Sequence, residues 1–170
     1  MHFVQPEPTD PIVDRLLLAL AAEYSLRYGR TVQQELEELR NYPHASLHAE
    51  DGLLILAVEA GRPVASGGFR RLDAHTAELK RLWVEPDLRG HGFGKAILDH
   101  LERRITERGY TRIWLQTGPA QPEAVALYLS AGYTPHFDPS LPPARVGIHR
   151  FSKQLHNRAG APGHAIKEST

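Results

Sequence analysis

The chain has 170 residues, no cysteine and a formal net charge of zero, which suits a single domain with a sizeable core. The absence of cysteine excludes disulfides, thiolate zinc sites and a cysteine nucleophile. The longest apolar run, residues 16–22, is too short to span a bilayer, so no membrane association is expected. The first ten residues lack the basic start and apolar core of a signal peptide, and we expect a cytoplasmic protein.

The charge is unevenly distributed along the chain. Residues 1–59 carry four arginines, no lysine and ten acidic residues, whereas the remainder carries sixteen basic and ten acidic residues. A basic second part suits a phosphorylated ligand, although solvated helix faces would give the same balance. No long basic run or aromatic-basic pattern indicates a nucleic-acid partner.

Two helices are predicted before the first strand. Asp10 and Pro11 have the residue types of an N-cap and a first helical position, and Gly29 ends the helix. Thr31 and Gln34 have the spacing of a capping box for a second helix, which residues 41–43 stop. The first helix has one apolar face, formed by Val13, Leu16, Leu17, Leu20 and Tyr24.

Three strands follow, joined by short turns, and predict an antiparallel meander. They cover residues 53–60, 64–72 and 76–84. Strict alternation in the third strand places its residues on two faces. One face would hold Glu78, Lys80, Leu82 and Val84, and the other Ala77, Leu79, Arg81 and Trp83.

The second part of the chain alternates helices and strands. A helix over residues 94–108 leads to a strand at 112–117, which should run parallel to the strand before it. A further helix begins at Pro122 and is closed by Gly132, and a last strand is predicted at 144–155. The fold class is therefore α+β, in one domain over residues 1–155, with a disordered polar tail at 156–170.

The stretch "RGHGFGKAIL" from Arg89 onward places Gly90, Gly92 and Gly94 between a strand and a helix. The spacing is one residue short of a P-loop, whose hydroxyl position Ala96 occupies, and it does not match the dinucleotide fingerprint. A nucleoside-triphosphate enzyme is thereby disfavoured. Unpaired N–H groups at the helix start would still bind an anion, although a flexible connection would have the same composition.

Two motifs of the chain resemble sequence motifs of the GNAT acetyltransferase superfamily. The first is R-x-x-G-x-G, formed by Arg89, Gly92 and Gly94 after the stretch "RLWVEP". The second is "QPEAVALYLSAGY" at residues 121–133. The resemblance covers about residues 50–135. It implies a mixed, mostly antiparallel sheet flanked by helices, in which a parallel pair of strands splays apart to admit acetyl-CoA. The pair would be 76–84 and 112–117. A homodimer is a further expectation from the family.

The resemblance also assigns cofactor contacts. The main chain of Leu82, Trp83 and Val84 would pair with the pantetheine arm. The diphosphate would lie on the loop formed by Arg89, Gly90, His91, Gly92, Phe93, Gly94 and Lys95. Gln121 stands where many relatives have asparagine, and the resemblance assigns it a contact with the cofactor.

Tyr128 matches the family tyrosine that faces the cofactor sulfur, where a phenol can protonate the departing thiolate; core packing is the alternative. Glu78 is the candidate base for the amine, and a cross-strand ion pair is its alternative. His75 and His136 are other candidate bases. His44 and His48 are four apart in a loop context that argues against a metal pair, and no metal is expected.

The predicted activity is transfer of acetyl from acetyl-CoA to a primary amine of a small molecule or peptide in a ternary complex. A non-catalytic acyl-CoA-binding regulatory module is the alternative. The sequence does not identify the acceptor. Glu23, Glu35, Glu37 and Glu38 lie on or near the two N-terminal helices; they would attract cationic acceptors if they rim the acceptor cleft, or they are solvated helix faces.

Overall fold

The computed structural model describes residues 2–41 and 44–155. In this part of the chain, seven strands form one sheet in the order β1-β2-β3-β4-β5-β7-β6. Neighbouring strands are antiparallel except for the parallel pair β4 and β5. The strands are β1 (His2–Val4), β2 (Leu53–Glu59), β3 (Arg62–Arg71), β4 (Thr76–Val84), β5 (Arg112–Thr117), β6 (Thr134–Pro135) and β7 (His149–Gln154).

Helices cover both faces of this sheet, which confirms the predicted α+β class. They are α1 (Pro11–Tyr28), α2 (Val32–Asn41), α3 (His44–Leu47), α4 (Phe93–Glu107), α5 (Pro122–Ser130) and α6 (Pro143–Val146). One buried cluster joins α1, α2 and α3 to β2 and to Trp83 of β4. A second cluster joins α4 and α5 to the opposite face. None of the described helices is long and apolar enough to cross a membrane.

The parallel strands β4 and β5 pair only at their beginnings. Three residue pairs connect them, and the last is Glu78 with Trp114. Beyond that pair, β4 continues along β3 as far as Val84, and β5 continues along β7 as far as Thr117. The two halves of the sheet therefore part after Glu78, which confirms the splayed pair.

A β-bulge in β4 makes the predicted alternation wrong beyond Lys80. Ser66 of β3 pairs with Trp83, but Gly68 pairs with Lys80, so β4 contains one extra residue. Arg81 takes a positive φ of 56° there, and its carbonyl accepts from Ser66 Oγ at 2.8 Å. The extra residue reverses the phase of the strand. Leu82 and Val84 consequently pack against the α4 and α5 face with Ala77 and Leu79, and Trp83 packs against α1.

The last predicted strand is also too long. Residues 143–146 form α6 instead, and β7 begins at His149. Pro143 at the first helical turn favours this helix, because its missing N–H is not needed there. The short elements β1, α3 and β6 were not predicted. The predicted helix stop at residues 42–43 and the tail at 156–170 lie outside the described residues.

Candidate functional site

A cavity of about 260 Å³ lies beside the last residues of β4. Four parts of the chain enclose it: the end of α1, the end of β4, the glycine loop with the start of α4, and the start of α5. Its apolar wall is formed by Leu82, Val84, Leu88, Ala124 and Leu127. Its polar lining comes from Glu23, Tyr24, Trp83, Arg89, Gly90, Gly92, Gly94, Lys95, Gln121 and Glu123.

The glycine loop has the backbone geometry of an anion-binding turn. Gly90 and Gly92 take φ angles of 78° and 86°, a left-handed conformation that costs a residue with a Cβ roughly 1–2 kcal/mol. Gly92 caps α4, and the first intrahelical bond runs from Ala96 N to Gly92 O. The N–H groups of the first turn therefore have no partner within the helix.

Not every residue of the predicted loop site reaches the cavity. His91 is absent from the lining, and its Nδ1 lies 3.0 Å from the carbonyl of Arg89. Phe93 packs against the core below α4. The Lys95 ammonium, which borders the cavity, pairs with Asp99 one helical turn away at 2.5 Å.

Arg89 is held by three acceptors at the mouth of the cavity. Its Nε donates to the carbonyl of Val84 at 3.0 Å, and its guanidinium lies 2.6 Å from Glu23 and 3.4 Å from Glu123. Glu23 also accepts from Trp83 Nε1 at 2.8 Å and from Arg27 Nε at 2.8 Å. One carboxylate thus connects α1, β4 and the glycine loop.

The end of α1 is fastened to the start of α5 by the same group of side chains. Arg27 donates to the carbonyl of Ala120 and pairs with Glu123. Burial opposes ionisation of Glu123, but the neighbouring Arg27 and Arg89 outweigh it and lower its pKa. Gln121 lines the cavity, and its Nε2 donates to Tyr28 Oη at 3.0 Å; its contact with the cofactor stays a prediction. These contacts fix the α1 side of the cavity.

Glu78 lies outside the cavity lining and inside an ion-pair group. It is opposite Arg70 in the register, and Arg70 Nε lies 2.7 Å from one carboxylate oxygen. Lys80 Nζ lies 2.8 Å from the other. The Glu78 side chain is only 6% exposed. The geometry is that of the predicted ion pair, and the role of general base stays a prediction.

Two tyrosines come from opposite faces of the sheet, Tyr128 from α5 and Tyr24 from α1. Tyr128 is buried beside the rings of Tyr133 and Phe151. Burial, with a contribution from the nearby Tyr24 phenol, raises the Tyr128 pKa. Tyr24 lines the cavity, and burial together with Glu23 raises its pKa to about 12. Both phenols therefore hold their protons near neutral pH.

The sequence did not predict Tyr24 as a site residue, and it named Glu23 only as one of four glutamates of a possible acidic rim. Tyr24 occupies the apolar face of α1, where an aromatic residue is read as core. Glu23 and Arg89 are 66 positions apart, and no local pattern connects them. The uneven charge of the chain was the one relevant signal, and it did not distinguish Glu23 from the other glutamates.

The remaining predicted groups lie elsewhere. Glu35 and Glu38 pair with Arg30, so part of the predicted acidic rim is neutralised. His136 lies on the opposite side of the sheet from α4, near Trp114, and His75 lies in the turn before β4. Among residues 2–41 and 44–155, no group of three or more His, Asp or Glu side chains is arranged to hold a metal ion.

The known proteins and family models that this chain matches include several acetyltransferases. A family model described as "Acetyltransferase (GNAT) family" matches residues 16–133. An uncharacterized N-acetyltransferase of Escherichia coli K12, YjgM, is 30% identical over 139 residues, which make up 78% of this chain and 80% of that protein. The ribosomal protein bS18-alanine N-acetyltransferase of the same strain is 37% identical over 57 residues, covering 34% of this chain and 38% of that enzyme.

Solved structures show the same fold. A GNAT acetyltransferase from Staphylococcus aureus Mu50 superposes with a TM-score of 0.71 at 20% identity, covering 91% of this chain and 99% of that one. An aminoglycoside 6'-N-acetyltransferase complexed with coenzyme A gives 0.69 at 19% identity, covering 94% and 100% of the two chains.

Proposed function

Because the chain belongs to the acetyltransferase (GNAT) family, we propose that it transfers the acetyl group of acetyl-CoA directly to a primary amine held in the same complex. The observation that carries this proposal is the cavity between the left-handed glycine loop and the last residues of β4, on the part of that strand that is no longer paired with β5. The acceptor is a small molecule or a peptide amine. The relatives named for bS18 alanine and for aminoglycosides both act on amines, which supports this class.

The residues around the cavity fit acetyl-CoA. The unpaired N–H groups at the start of α4 suit a diphosphate, and the positive end of the helix dipole adds to the attraction. The apolar wall of Leu82, Val84 and Leu127 suits the pantetheine arm. Beyond Glu78, the β4 edge that faces β5 has no strand partner in the described part of the chain, so its main chain is available to pair with the amides of pantetheine.

The position of Arg89 suits the diphosphate of acetyl-CoA. Its contact with the carbonyl of Val84 fixes the end of β4, and its charge lies at the cavity mouth between Glu23 and Glu123. A guanidinium binds phosphate through paired N–H groups. We assign Arg89 to the diphosphate, which it would bind by exchanging one carboxylate for a phosphate oxygen.

The chemistry requires two proton transfers by this chain. Acetyl-CoA, when bound, supplies the activated acetyl group. The amine nitrogen must lose a proton before it can form the new C–N bond, and Glu78, directly or through water, is assigned as the base. As the C–S bond breaks, the sulfur takes up a proton, and the Tyr128 phenol is assigned as its donor. The raised pKa of Tyr128 keeps that proton available. The nitrogen loses its second proton when the amide forms, and the Tyr128 phenolate regains one proton, so that the net reaction releases one proton, held by Glu78 and passed to solvent.

Calorimetry with CoA and a thiol-release assay over a panel of amines test the proposal together. Gly92→Val should lower CoA affinity at least about tenfold, because its side chain would enter the diphosphate site and strain the loop. Gly109→Val is the matched control: Gly109 has a φ of 84° and open space around it but lies at the far end of α4. A folded protein that binds no CoA, or equal binding by both variants, would contradict the assignment of the cavity.

A further inference from the structure

Among residues 2–41 and 44–155, no helix contributes buried residues over one part of the sheet surface. We call it the open face, and define it as the outward side chains of β5 and β7: Arg112, Trp114, Gln116, Arg150, Ser152 and Gln154. The alternate residues of these strands, such as Ile113, Leu115 and Phe151, belong to the core beneath α4 and α5. None of the buried residues that pack against α1 and α2 comes from β5 or β7. Gln116, Arg150 and Gln154 are accordingly exposed.

The open face begins where β4 and β5 part. Glu78 and Trp114 are the last pair between those strands, and Trp114 is paired in turn with Ser152. Arg70, Glu78, Trp114 and Ser152 therefore lie in one row across the sheet, on the side away from α4. An acceptor on the open face would lie with its amine at this row, next to the gap between β4 and β5. The β4 edge that the proposed function assigns to the pantetheine arm begins at the same gap.

The indole of Trp114 lies on the open face and is held by a contact with a neighbouring ring. Its ring centroid lies 5.3 Å from that of His136 at an interplanar angle of 31°. The His136 ring is itself held in place by a hydrogen bond, since its Nε2 lies 2.7 Å from Ser152 Oγ. An indole held in this way offers a flat surface for a small ligand.

The charge of the open face is positive. It contains Arg112 and Arg150 and no carboxylate, and within residues 2–41 and 44–155 neither arginine has an ion-pair partner. The nearest acid in the row, Glu78, is already paired with Arg70 and Lys80. In the cavity lining, Glu23 is paired with Arg27 and Arg89. The unbalanced charge near the gap is thus cationic, contrary to the acidic rim considered from the sequence.

We propose that the acceptor is a small primary amine that also carries a carboxylate, such as a free amino acid, and that Arg150 binds this carboxylate while Trp114 lies beneath the acceptor. The proposal rests on the proposed function and names its substrate class. Arg150 is paired with Gln116, one strand and two residues from Trp114, a diagonal separation of roughly 7–8 Å. An arginine side chain spans that distance, and its paired N–H groups match a carboxylate.

The test compares matched acceptors that differ only in the negative charge. Free amino acids and their carboxamides are assayed with acetyl-CoA by thiol release, with spermidine as a cationic reference. We expect kcat/KM to be at least about tenfold higher for the acid than for its amide. Arg150→Gln should remove that preference and leave the KM for acetyl-CoA within about twofold, and Arg150→Lys should restore part of it. Arg103→Gln, an exposed change on α4, is the control and should alter neither.

The results separate this proposal from the proposed function. Acetyl transfer with equal rates for acid and amide, or a preference for spermidine that Arg150→Gln does not change, would overturn the carboxylate site and leave the acetyltransferase assignment intact. Absence of transfer to every amine would count against the proposed function. In that case the same pairs are compared by equilibrium binding to the CoA-saturated protein, and equal affinities for acid and amide would overturn the carboxylate site.

Discussion

Replacing Glu78 by glutamine should affect stability and catalysis separately, because the side chain is both an ion-pair partner and the assigned base. Glutamine keeps the shape and removes the charge that Arg70 and Lys80 contact at 2.7 and 2.8 Å. Loss of one partner from a fully buried pair costs about 3–5 kcal/mol. Here the two cations are 20% and 24% exposed, and hydration of the remaining charges reduces the expected loss to about 2 kcal/mol.

For a chain of this length, that loss corresponds to a decrease in Tm of roughly 4–8 °C. Urea titration gives the free energy of unfolding, and Arg70→Met combined with Glu78→Gln completes a double-mutant cycle. A general base contributes about 10²–10⁴-fold in rate, so kcat should decrease at least about 100-fold while CoA affinity is unchanged.

The two readouts refute different statements. A change in the free energy of unfolding below about 0.5 kcal/mol, within the range of ordinary surface substitutions, would show that the ion pairs do not stabilise the sheet. A kcat within about threefold of the parent at saturating acceptor, well below the contribution of a general base, would remove Glu78 from the mechanism. His136 and His75, the other candidate bases, would then be replaced by alanine and assayed in the same way.

Three further predictions concern acetyl-CoA binding, Tyr128 and Glu23. Acetyl-CoA at 100 times its Kd should stabilise the native state by about 2.7 kcal/mol and raise Tm by roughly 5–10 °C; an unchanged melting curve would exclude binding to the folded protein. Tyr128→Phe should lower kcat at least about tenfold with little change in CoA affinity, because the lost proton is needed as the thiolate departs; unchanged single-turnover rates would assign Tyr128 to packing. Glu23→Gln should destabilise the protein by about 2 kcal/mol, since it weakens charge-assisted hydrogen bonds with Arg89 and Trp83; chemical denaturation measures this, and equal stability would show that the contacts are not coupled to folding.

The local signals in the sequence predicted much of the fold. The N-cap of α1 is one example, in which Asp10 Oδ1 accepts from Ile12 N at 3.0 Å. The capping box of α2 is another, with reciprocal bonds between Thr31 and Gln34. Such signals work because their partners lie within one turn of each other. The bounds of β4 and β5 also agree with the predicted strands at 76–84 and 112–117.

What the sequence did not predict depends on distant contacts. The bulge at Arg81 is supported by Ser66, 15 positions away, and by the carbonyl of Leu39, 42 positions away, to which the Arg81 guanidinium donates. The contribution of Glu23 and Tyr24 to the cavity follows from the docking of α1 on the sheet. Neither feature produces a periodic pattern of residue types in the sequence. Alternation of side chains along β4, used alone, therefore placed Leu82 and Trp83 on the wrong faces of the sheet.

The position of Arg89 between Glu23 and Glu123 has a consequence for how fast an anionic ligand is captured. A bare guanidinium at a cleft mouth draws anions from a distance and makes the association rate fall steeply with added salt. Here two carboxylates already neutralise that charge, so its field beyond the cavity is weak. CoA should therefore associate at a rate that changes little with ionic strength, and Arg89 should act mainly on the lifetime of the complex once the diphosphate has replaced a carboxylate.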